Sequence, residues 1–142
     1  MSNGDPLPNA DHITRACGRG LENGVITSTA FALSSRDRRA GNKLSADWVE
    51  CAYANPSDQN IQGSLKRLKK AKLRVGQSIA VLNAEQIRLI CRNGCHLDII
   101  EDHHSRWQCH GAIIGMTDGP IDLDLQEDLA NLANSGDIVM LS

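Results

Sequence analysis

Aromatic side chains are almost missing: Phe31, Trp48, Tyr53 and Trp107 are the whole set in 142 residues. A core built from this chain has to be aliphatic. The same scarcity argues against a surface that holds single strands by stacking bases on rings. No apolar run approaches the roughly 20 residues of a membrane-spanning helix. The opening MSNGDPLPNAD has no basic region followed by an apolar stretch, so it does not read as a secretory signal. No G-x-x-x-x-G-K, G-x-G-x-x-G, G-x-S-x-G or H-E-x-x-H occurs, which removes the enzyme classes that announce themselves locally. C-x2-C knuckles are lacking too. The five cysteines are an odd number without regular spacing. Free thiols in a reducing cytoplasm are the expectation.

What is present fits one domain of ordinary size. Apolar residues make up 41% of the chain, close to the globular norm. Residues 1–10, with two prolines, a glycine and two asparagines, are expected to form a flexible arm, and residues 11–142 a single domain. Asp11–Cys17 is a short mixed segment. Asn23-Gly24 marks a turn, because both residues tolerate positive φ. Val25–Leu33, rich in β-branched residues, reads as a strand, with Asp11–Cys17 as its candidate hairpin partner. A charged loop, SSRDRRAGNK, follows. Leu44–Ala54 suits a short helix or a helix–strand mixture, since Trp-Val-Glu-Cys-Ala-Tyr also alternates.

Gln59–Arg74 is the clearest helix, with Ile61, Leu65, Leu68 and Val75 at helical spacing and Gly76 just past its end. Ser78–Leu82 reads as a strand and Ala84–Arg92 as a helix capped by Asn83 and closed at Asn93-Gly94. Leu97–Glu101 and Gln108–Met116 form a hairpin around the loop Asp102–Trp107. A third helix runs from Asp122 or Asp124 to Asn134, its acidic first turns favoured by the helix dipole. Asp137–Leu141 is a last short strand. Strands and helices mix without a βαβ rhythm, so the fold class is α+β, a small mixed or antiparallel sheet with about three helices.

Three groups of residues carry chemistry. The stretch Cys91–His110 holds three of the five cysteines and four of the five histidines. Cys95, His103, His104 and Cys109 have the softness to hold zinc. Against this, Cys109 and His110 are neighbours in an expected strand and point to opposite faces. The structural alternative makes Cys91 and Cys109 small buried apolar residues. Acid–base chemistry is the second option. His12 and His110 as proton donor and acceptor, with Arg15 or Arg106 on a phosphate, would make a metal-independent ribonuclease or phosphodiesterase. A thiol nucleophile in Cys95-His96 or Cys109-His110 is a third option, weakened because catalytic pairs usually meet in space rather than in sequence.

The third group is the run Lys66 to Arg74, six positive charges in nine residues with no acidic residue among them. Lys66, Lys70 and Arg74 share one helix face, where like charges repel. Residues 1–97 carry fourteen Lys/Arg against eight Asp/Glu, or +6, and residues 98–142 carry one against nine, or −8. The acidic third is one counter-charge for the run. A partner outside the chain is the other. The expectation is a cytoplasmic binding module, with no membrane association and no required cofactor. It would engage nucleic acid or an acidic protein surface through Lys66, Arg67, Lys69, Lys70 and Arg74, within a larger assembly. The ribonuclease and the zinc module are its alternatives.

Overall fold

The structure, a computed structural model, describes residues 4–17, 21–51, 78–103, 108–136 and 138–140. It is an α+β domain built on a six-stranded sheet, as the mixed pattern of strands and helices predicts. The larger sheet comprises β1 (His12–Ala16), β4 (Leu44–Trp48), β5 (Ser78–Asn83), β8 (Asp98–Glu101), β9 (His110–Ile114) and β10 (Ile138–Met140). The strand order is β10-β5-β1-β4-β9-β8, and every neighbouring pair is antiparallel. Two minor hairpins stand outside it, β2 (Leu21–Glu22) with β3 (Val25–Ile26) and β6 (Cys91–Arg92) with β7 (Cys95–His96). The helices among the described residues are α1 (Ser35–Arg39), α2 (Ala84–Arg88) and α3 (Asp122–Ser135), with a 3-10 turn at Ser28–Phe31.

The two-residue period of the strands divides the sheet into two chemically different faces. Ile13, Ala80, Leu82, Ala46, Trp48, Ile113 and Ile99 belong to one aliphatic core, joined by Phe31 and by Leu125, Leu129, Ala130 and Ala133 of α3. That last set follows the i, i+4, i+5, i+8 spacing of one helix stripe. The opposite face carries Thr14, Asp47 and His110. Ile79, Val81 and Ala112 lie with them, buried but outside that core.

Several elements differ from what local pattern predicts. Leu44–Trp48 is a strand, not a helix, because Leu44, Ala46 and Trp48 alternate with more open Ser45 and Asp47, and the apolar three close the core. Val25–Leu33 is only a two-residue strand before the chain tightens into the 3-10 turn that buries Ala30 and Phe31. Its strand pairs with β2, not with β1. The charged loop contains α1, which a capping box begins: Ser34 Oγ accepts from Asp37 N, and Asp37 Oδ2 accepts from Ser34 N. The helix from Ala84 stops at Arg88, and the chain then turns back through Asn93 and Gly94, both at positive φ, as the β6–β7 hairpin. Residues 4–10 are not a free arm. Leu7 is buried, Gly4 N donates to Glu101 O, Leu7 N to Ile99 O, and Pro6 bridges Ile100. Arg88 fastens the segment by donating to Leu7 O and Asn9 Oδ1. The helix expected at 59–74 lies outside the described residues.

Candidate functional site

Three strands bring a polar row together on the face opposite the aliphatic core. Thr14 of β1 is paired with Asp47 of β4, and Asp47 with His110 of β9. Directly paired residues project to the same side, so the three side chains share one face. Asp102, just past β8, extends the row. Its backbone N donates to His110 O at 3.0 Å. His110 Nδ1 lies 3.0 Å from Asp102 O and 3.4 Å from its carboxylate Oδ2. A carbonyl only accepts, so Nδ1 carries the hydrogen, and in the neutral ring Nε2 is the acceptor. Asp102 therefore sets both the tautomer and the tilt of the ring.

Two cavities adjoin at His110 and Ser45. One, of about 260 Å³, is lined also by Arg36, Asp37, Lys43 and Asp102. The other, of about 180 Å³, is lined by Thr14, Arg15 and Asp47. Lys43 Nζ lies 3.8 Å from Asp102 Oδ1. Arg36 is exposed and makes no ion pair among the described residues. The Thr14 hydroxyl is fully buried and has no hydrogen-bond partner among the described residues. An orphaned buried hydroxyl costs about 1–3 kcal/mol, so folding by itself gives no reason for it.

The residues nominated from sequence are placed as follows. His110 is in the row. His12 is on the same face but two strands from His110, about 10 Å sideways at ordinary strand spacing. It is engaged elsewhere, with Nδ1 2.9 Å from Glu50 Oε2 and its backbone N donating to Glu50 Oε1. Arg15 falls one residue out of phase with Thr14 and projects to the other face. There its guanidinium donates to Ala30 O and Ser45 O. Burial lowers its pKa, and the nearby Asp37 carboxylate works the other way. The structure thus does not assemble His12, Arg15 and His110 as one set.

Cys109 is not a free thiol. It is joined to Cys51 by a disulfide, a correction both to the free-thiol expectation and to Cys109 as a thiolate ligand. Its neighbour His110 points to the opposite face, as strand geometry requires. His103 Nδ1 contacts Gln108 O, and Nε2 is 3.7 Å from Glu101 Oε1. Cys95 is half-buried against the core. His104, like Lys66, Arg67, Lys69, Lys70 and Arg74, lies outside the described residues. Among the described residues no three His, Cys, Asp or Glu side chains are grouped to hold a metal ion.

Sequence reading missed Ser45 and Asp47 because they sit in a segment whose alternation competed with a helix. It missed Thr14 and Asp102 because only strand pairing puts Thr14 beside Asp47 and Asp102 beside His110. It also missed a thiol–imidazole contact, Cys91 Sγ to His96 Nε2 at 3.5 Å, made across the β6–β7 hairpin. Asn93-Gly94 was the signal for it.

No family model, curated protein or solved structure matches the chain.

Proposed function

We propose that the protein is a binding module. It engages a polyanionic partner, nucleic acid or an acidic protein surface, through Lys66, Arg67, Lys69, Lys70 and Arg74, as part of a larger assembly. The observation that supports this reading is what the acidic last third of the chain is doing. Four of its nine carboxylates have cations of their own from earlier in the sequence. Arg88 meets Asp98, Arg38 meets Asp118, Arg92 meets Asp128, and Lys43 approaches Asp102. Asp122 accepts from the backbone N–H groups of Thr117 and Asp118. Asp124 and Glu127 act on Arg92. Several of the carboxylates that could neutralise the 66–74 run from within thus have other partners among the described residues. Such a run gains most from a counter-charge outside the chain.

Reversing Lys66, Lys70 and Arg74 to Glu tests it. With random-sequence RNA and DNA as probes, the wild type should bind, with affinity falling steeply as salt rises. The variant should bind neither while keeping its circular dichroism spectrum. Binding unchanged by the reversal would sink the reading. A shallow salt response with an acidic protein fragment captured instead would assign the protein partner.

A second reading keeps one observation in its favour. His110, with Nδ1 held by Asp102, is arranged as a positioned acid–base group at the meeting of two cavities. A metal-independent phosphodiesterase would use it without the help of Arg15. If His110→Ala hydrolyses RNA as fast as the wild type, this reading fails. The compartment can be read from the Cys51–Cys109 pair. A cytoplasmic module would keep it reduced, so a bridge found intact in cells quenched with acid and alkylated would place the protein elsewhere. No helix among the described residues is long and apolar enough to cross a membrane.

A further inference from the structure

We infer that Cys91 and His96 are a reactive thiol–imidazole pair, at which the protein takes up half of a small disulfide such as glutathione disulfide as a reversible cap. The site is separate from the 66–74 run and independent of the reading built on it. Cys91 is paired with His96 across the β6–β7 hairpin, so the two side chains share one face, and Sγ lies 3.5 Å from Nε2. Both residues are exposed. A nucleophile within hydrogen-bond reach of a base is the arrangement that activates a thiol. Cys95 and His96, neighbours in one strand, project to opposite faces and do not meet it. The turn at Asn93 and Gly94 supplies the pair that adjacency in sequence does not. Contacts on both strands hold the pair in place. Arg92 donates to the two carboxylate oxygens of Asp128 at 2.7 and 2.8 Å, and Leu97 N donates to Ile90 O at 3.2 Å. The His96 carbonyl packs so closely on Gly115 that a Cβ there would lie 2.2 Å from its oxygen.

The step is a thiol–disulfide exchange. Nε2 accepts the thiol proton, and the Cys91 sulfur attacks one sulfur of the disulfide R–S–S–R. The bond from Cys91 to that sulfur forms as the R–S–S–R bond breaks, and the leaving thiolate takes the proton from the imidazolium to depart as R–SH. Cys91 is oxidised, half of the disulfide is reduced, and no other oxidant enters. The other cysteines neither compete with Cys91 nor resolve the product. Cys17 is buried, and Cys51 and Cys109 are joined to each other. Cys95 is half-buried and paired with Arg92 on the other side of the hairpin. With no second thiol on the face of Cys91, the mixed disulfide persists until an external thiol removes it. The Cys51–Cys109 bridge supports the choice of reactant, because conditions that keep it closed also offer disulfides to an exposed thiol. The pair lines neither of the two cavities described above. Such a position suits a reactant that needs only collision with one sulfur, whereas acyl transfer would need donors for an oxyanion as well.

The test is incubation of the full chain with glutathione disulfide at neutral pH, followed by intact mass and by peptide mapping over time. One glutathionyl group should be added, at Cys91, well before any reaction at Cys95, and excess reduced glutathione should remove it. His96→Ala should slow the addition by about tenfold, with Cys95 in the same sample as the internal reference. Free imidazole in the buffer should restore much of the lost rate in His96→Ala and leave the wild type unchanged, which a merely structural role for His96 would not produce. Should His96→Ala not fold, His96→Gln reads the same loss. The inference is overturned if Cys95 reacts as fast as Cys91, if the His96 variant reacts as fast as the wild type, or if imidazole fails to rescue it. An end product bridged between Cys91 and Cys95, or between two copies through Cys91, overturns it too.

Discussion

Gly115 has φ of +111°, and a Cβ built on it would lie 2.2 Å from the carbonyl oxygen of His96. Two constraints meet at one residue: a backbone conformation that L side chains rarely adopt, and backbone in the way that cannot rotate aside. Gly115→Ala should therefore destabilise the protein by about 3 kcal/mol, read as a lower urea midpoint with an unchanged slope. A loss near zero would show that β9 ends differently. The Arg92–Asp128 pair makes a gentler prediction. The hydrogen bond from Arg92 holds the Asp128 carboxyl below its ordinary range. A depressed carboxyl contributes stability above the unfolded-state pKa and loses it as pH falls through the folded one. Asp128→Asn should thus lower stability slightly at pH 7, with the difference closing in acid. Both side chains meet water, so the effect is small and shrinks with salt. A gap between the two proteins that widens toward pH 2 contradicts this.

Among the elements, the β6–β7 hairpin decides how the thiols behave. Cys91 is exposed with the His96 imidazole 3.5 Å from its sulfur, Cys95 is half-buried, and Cys17 is buried. Burial pushes the Cys17 thiol up, away from the reactive thiolate. Iodoacetamide should label Cys91 first, Cys95 next and Cys17 only on unfolding, with Cys51 and Cys109 silent until reduced. Peptide mapping over a time course gives the order, and early labelling of Cys17 would refute this packing. Cys91 and Cys95 occupy opposite sides of the hairpin, so they are not placed to bridge each other. The same hairpin shows where the sequence was legible and where it was not. Asn93-Gly94 was visible as a break, but a break after a helix and the turn of a hairpin use the same dipeptide. What separates them is that Cys91 pairs with His96, a tertiary fact. The helix α3 was readable almost to the residue, since its stripe spans four turns. Strand β4 was not, because five residues of alternation also satisfy one helical turn. In α1 the Ser34–Asp37 box was present in the letters but hidden in a charged tract with no apolar face. Thr14, Asp47 and His110 are far apart in the chain, and only strand register brings them to one face.

For the whole molecule, the charge asymmetry between the first 97 residues and the rest is met in part by folding one part onto the other. Arg38, Arg88 and Arg92 are each matched to an aspartate of the last third. The Cys51–Cys109 bridge spans 58 residues, and closing a loop of that length restrains the unfolded chain by about 4 kcal/mol. Reductant should lower the thermal midpoint, and Cys51→Ala should reproduce the shift and abolish any further response to reductant. An identical midpoint with and without reductant would mean that the bridge contributes nothing.

The sealing of β8 by residues 4–10 has a consequence for assembly. A terminal strand with open donors and acceptors is a template on which foreign chains add in register. Here Pro6, which has no amide hydrogen to offer, and Leu7, clamped by Arg88, occupy that margin. Stripped of its first ten residues, the domain would turn an inert border into an adhesive one. Copies would then join side by side through β8, a route that the docked segment denies to the intact chain.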